Sequence, residues 1–91
     1  MDNLGAPISY MVLERGATVF SSDGEHLGSV VSVERDIATD IFDGIVFAMT
    51  ASFARHRFVD APEVGEIYER GVILRIDAAA AAELPAPRGL K

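Results

Sequence analysis

The chain is written in short apolar runs separated by turn residues, a pattern of strands rather than helices. In "GVILRID" (71–77), Val72, Leu74 and Ile76 fall at every second position and share one face of a strand. The run before it, "VGEIYER" (64–70), is its hairpin partner, with the turn at Glu69, Arg70 and Gly71. An earlier hairpin is signalled more strongly. "ATVFSS" (17–22) is β-branched and aromatic, and Asp23-Gly24 follows it. A glycine there supplies the positive φ that a type I′ turn needs. "LGSVVSVERD" (27–36) is the returning strand. Its apolar positions Leu27, Val30, Val31 and Val33 break strict alternation, and Gly28 accounts for the break as a bulge or sharp bend. After a turn at "IATD" (37–40), "IFDGIVFAMT" (41–50) is the most apolar strand. Ile45, Phe47 and Met49 share one of its faces and Val46 and Ala48 the other, which calls for cover on both. "ASFARHR" (51–57) reads as a loop, and "RFVDA" (57–61) as a short strand ended by Pro62.

Helix is expected only at the end. Asp77 is placed to cap "AAAAAEL" (78–84), and Pro85 stops it. Ahead of the first hairpin, Ile8, Tyr10, Met11, Val12 and Leu13 form an apolar stretch that Gly16 breaks off. It reads as a short edge strand or an ordered arm. Strands with turns roughly every ten residues, followed by one terminal helix, make a small all-β barrel or sandwich. A chain of 91 residues holds one domain.

Composition narrows the function. The chain is 49% hydrophobic and 24% charged, enough to build a core. Its net charge of -6, with Lys91 the one lysine, is the wrong balance for nucleic acid, because phosphate binding needs clustered Lys and Arg. DNA is excluded as a partner and RNA is not expected. No cysteine is present, so disulfides, thiolate nucleophiles and Cys-ligated zinc are excluded. The start "MDNLGAPISYMVLERG" carries Asp2 where a secretory signal needs positive charge, and Gly5 and Pro7 interrupt its apolar run. No apolar stretch reaches the roughly eighteen residues of a membrane span, so a cytoplasmic location is expected.

Candidate chemistry is sparse. Gly24 and Gly28 have neither the spacing nor the following Lys of a phosphate loop, and Asp23 with Glu25 does not make a calcium loop. The histidines His26 and His56 read as exposed, and no Ser-His-Asp set stands out. Asp36, Asp40 and Asp43 are the candidate cation ligands, although Asp36 and Asp40 also bracket a turn whose N–H groups they can cap. "ARHR" (54–57) is the basic cluster, and it makes Arg55 and Arg57 candidates for a partner's carboxylate, an anion or the chain's own acids. No catalytic or cofactor-binding residue is assigned.

The ordered set "GATVFSSDGEHLGSVVSVERD", "FDGIVF" and "RFVDAPEVGEIYERGVILRID", ending in an Ala-rich segment, resembles the PRC-barrel family. That family is named for the cytoplasmic domain of the photosynthetic reaction-centre H subunit. It also includes the C-terminal domain of a ribosome-maturation factor and many small free-standing bacterial and archaeal proteins. The resemblance rests on Gly16 and Val19, on the hairpin Asp23-Gly24 with Leu27, Gly28 and Val30, and on Asp36. It extends to an "IFDG" turn (41–44) and to the strand holding Val64 and Ile67.

The resemblance implies a small six-stranded β-barrel with a short C-terminal helix, acting as a non-catalytic adaptor or assembly module. The implied domain organisation is an N-terminal arm or edge strand (1–15), a barrel domain (16–84) and a flexible tail (85–91). The family offers no catalytic motif to carry over. The expected function is protein–protein interaction, most simply as a homodimer. Ile8, Tyr10, Met11, Val12, Leu13, Arg55 and Arg57 are its interface candidates. The arm either packs across its own sheet or pairs with a second copy by edge addition. The alternatives are a small-ligand or cation-binding barrel, or an accessory factor in RNA or ribosome maturation.

Overall fold

A computed structural model gives the structure of residues 3–50 and 52–87, and of 52–54 the backbone only. The strands are β1 (Thr18–Phe20), β2 (His26–Asp36), β3 (Ile41–Met49), β4 (Ser52–Asp60), β5 (Val64–Tyr68) and β6 (Gly71–Leu74), followed by the one-turn helix α1 (Ala78–Ala81). They form a six-stranded sheet in the order β4-β3-β2-β1-β6-β5. Neighbours are antiparallel except β1 and β6, which run parallel. The all-β architecture and the short terminal helix match the sequence reading.

Each element follows from its residues. The β1–β2 connection is a three-residue loop rather than a two-residue type I′ turn. The Gly24 N–H donates to the Ser21 carbonyl (3.0 Å), and the Ser21 N–H donates to the Glu25 carbonyl (2.9 Å). Gly24 takes φ 88°, whereas a type I′ turn would also need positive φ at its other central residue, and Asp23 does not have it. The bulge falls where expected: Val19 pairs with Gly28 and Phe20 with His26, which leaves Leu27 as the extra residue. Gly28 is required by proximity, since a Cβ there would overlap the Ala48 carbonyl. Asp77 caps α1 as read, accepting the Ala80 N–H at 2.8 Å. The helix is shorter than its alanine run, because Pro85 removes the N–H that another turn would need.

Two local readings change. Residues 52–56 are strand, so β4 is longer than the short strand read from "RFVDA". Its mixed polarity is that of a strand at the end of a sheet. Gly44 lies inside β3, so "IFDG" is strand and not a turn.

The core gathers Val19, Val30, Ile45, Phe47, Val59, Val64, Val72 and Leu74, with Leu13 and Ala81. On β3, Ile45 and Phe47 face it, while Val46 and Ala48 are buried on the opposite face, so this strand is covered on both sides. Val59 of β4 and Val64 of β5 belong to one cluster, so the sheet curls until its two end strands share a core. It does not close into a barrel. No ladder joins β4 to β5 among the described residues, because both outer edges are occupied by other parts of the chain. Residues 4–8 run along β5: the Ile8 N–H donates to the Ile67 carbonyl (3.0 Å), and the carbonyls of Ala6 and Leu4 accept from Glu69 and Arg70 (3.0 and 2.8 Å). At the other end the Phe58 N–H of β4 donates to the Pro85 carbonyl (2.9 Å). The 3-10 turn Ala61–Glu63, carrying Pro62, links the two end strands without pairing them.

Candidate functional site

The apolar arm is ordered, and it divides the interface candidates in two. Ser9 caps a 3-10 turn at Tyr10–Val12 by accepting the Met11 N–H at 3.0 Å. Leu13 is buried and Ile8 packs against the core. The Tyr10 ring stacks on Phe42 of β3 at 4.5 Å and 15°, and its hydroxyl donates to the Asp40 carbonyl at 3.0 Å. The arm is thus pinned to the β2–β3 tip of its own chain, with Met11 and Val12 turned outward, each 60% exposed. At that tip Ile37 is 87% and Ile41 59% exposed. These four are the exposed large apolar side chains among the described residues.

The candidate cation ligands are not brought together. The Asp36 Oδ1 accepts the Ala38 N–H at 2.9 Å, the capping role read from the turn. Asp40, at φ 60°, pairs with Arg35 at 2.7 Å. Asp43 stands apart on β3. Among the described residues no three His, Asp or Glu side chains converge as metal ligands.

The basic cluster divides as well. Arg55 is exposed. Arg57 turns toward the C-terminal segment: its Nη1 donates to the Leu84 carbonyl at 2.6 Å, while its Nε is buried with no partner among the described residues. His26 is exposed beside the Phe20 ring, as expected, but His56 is half-buried.

His56 lines a groove that the sequence reading did not anticipate. It lies on the face of β2, β3 and β4 away from the core, with a volume of about 720 Å³. The strand register explains it. Glu34, Gly44 and Asp60 form one row across the three strands, and Ser32, Val46 and Phe58 form the next. The first row puts carboxylates at both ends with no side chain between them. The second supplies an apolar floor, and a Cβ on Gly44 would meet the Phe58 ring, so that ring lies against the gap. Asp43 adds a third acid, and Pro85, Ala86 and Pro87 form a wall. The Glu34 carboxylate accepts the Ser32 hydroxyl at 2.6 Å, which orients it. The signal was present as the alternation of His56, Phe58 and Asp60, hidden by reading 51–57 as loop.

Compared with known protein families and with curated proteins, the chain matches none. Among the described residues no helix is long and apolar enough to cross a membrane.

Proposed function

We propose that this chain is a non-catalytic protein–protein interaction and assembly module, related to the PRC-barrel family that its sequence resembles, and that it self-associates as a cytoplasmic homodimer. The observation that carries the reading is the apolar tip. Met11, Val12, Ile37 and Ile41 are exposed on two segments that Tyr10 fastens together. Exposed large apolar side chains gathered near one end of a small domain point to an interaction site. A second copy fits because a patch of this kind meets itself across a two-fold axis. Pairing by edge addition is disfavoured, since residues 4–8 already cover β5.

The test is light scattering on the full chain and on a Met11→Asp/Ile41→Asp variant. The expected result is a dimer that the double substitution converts to a folded monomer. A monomeric full chain at tens of micromolar rules the homodimer out.

A further inference from the structure

We infer that the groove across β2, β3 and β4 binds an arginine-containing peptide segment of a partner protein, with one cationic side chain seated over Phe58 and an apolar neighbour on Val46. This rests on the reading of the chain as an interaction module and gives it a second, separate surface. Charge complementarity selects the ligand. Glu34, Asp43 and Asp60 form the rim, and none of them has a cationic partner among the described residues, where the ion pairs are Arg35–Asp40 and Arg70–Glu69.

The geometry selects further. Glu34 and Asp60 stand two strands apart in one row, a separation of about 10 Å. One compact ammonium cannot reach both, whereas a guanidinium between them or charges spaced along a chain can. A Cβ on Gly44 would meet the Phe58 ring and the Val59 carbonyl, so the ring itself lies over the gap between the two carboxylates. A planar guanidinium has an aromatic ring to stack on and carboxylates to receive its N–H groups. The floor beyond is apolar and the wall of Pro85, Ala86 and Pro87 is an irregular backbone segment, so the groove accommodates an extended chain alongside it.

The experiment is fluorescence anisotropy with the full chain and a dye-labelled, end-blocked nonapeptide alternating Arg and Leu, against the same peptide with Glu for Arg. The Arg peptide binds and the Glu peptide does not. Asp43→Asn/Asp60→Asn weakens binding about tenfold, the effect of removing two rim charges, and Phe58→Leu weakens it with the fold retained by circular dichroism. Met11→Asp/Ile41→Asp leaves it unchanged, which separates the groove from the apolar tip. A monomeric chain that still binds the Arg peptide supports the groove while removing self-association. Equal binding of the Glu peptide, no binding of the Arg peptide at low salt, or unchanged affinity in the folded Asp43→Asn/Asp60→Asn variant overturns it.

Discussion

Asp23 ties the β1–β2 loop to the start of α1. Its carboxylate accepts the hydroxyl of the buried Ser21 and the Ala78 N–H, the latter at 3.2 Å. The Ser21 hydrogen bond is the main cause that holds the Asp23 carboxyl below the ordinary carboxylate value; burial opposes it, and the backbone N–H groups of Asp23 and Ala78 assist. A carboxyl whose pKa is depressed by folding stabilises the native state above its unfolded value of about 3.9, and that contribution is lost as pH falls through the folded value. Asp23→Asn is therefore expected to lower the melting temperature at neutral pH, with the gap to the unsubstituted chain closing as pH drops below about 4. Thermal melts across this range check it, and a gap that persists undiminished in acid would show that the carboxylate charge is not the cause.

The arm of residues 4–8 acts as an element although it is not a strand. It satisfies backbone groups of β5 and of the following turn that would otherwise present an open edge. Pro7 is tolerated there because an edge position asks no inward N–H of it; only an isolated bridge joins it to Tyr68. A chain beginning at Ser9 is expected to melt at a lower temperature and to form large aggregates in light scattering, because the β5 edge becomes a template for other chains. An equally stable, non-aggregating truncation would mean the arm protects nothing. β3 needs protection of a different kind. On its second apolar face Val46 and Ala48 are buried, and Val46 lies at the floor of the groove that Pro85, Ala86 and Pro87 wall.

At the scale of the molecule, the sheet is curled but open. The Cα extents are 35 × 29 × 20 Å, and Val59 of β4 and Val64 of β5 lie in one core cluster. Both end strands thus reach one core while the chain's own termini take their edges. On the proposed reading the apolar tip is the surface for a second copy. If the chain dimerises there, mass action makes its stability depend on concentration. The melting temperature is expected to rise over about a hundredfold increase in protein concentration and to stay constant for Met11→Asp/Ile41→Asp. A constant value in the unsubstituted chain counts against self-association.

The hairpins, the bulge beside Gly28, the two-sided burial of β3 and the cap at Asp77 were legible in the sequence. Each depends on residues within a few positions of one another: a period of two, a glycine after an aspartate, an aspartate before alanines. The loop type at Asp23 was misread because Asp-Gly fits two connections, and the Ser21–Glu25 backbone pair selects between them. The length of β4 was missed because an end strand needs no apolar alternation on its outer side. The open sheet and the split of the arm into buried Leu13 and exposed Met11 were not legible at all, and of the groove only the alternation of His56, Phe58 and Asp60 was. They depend on which distant segments meet: residues 4–8 on β5, Pro85 on β4, Glu34 level with Gly44 and Asp60. Local chemistry specifies the strands and turns. Competition for the sheet edges, and the register across three strands, place the surfaces on which a function can act.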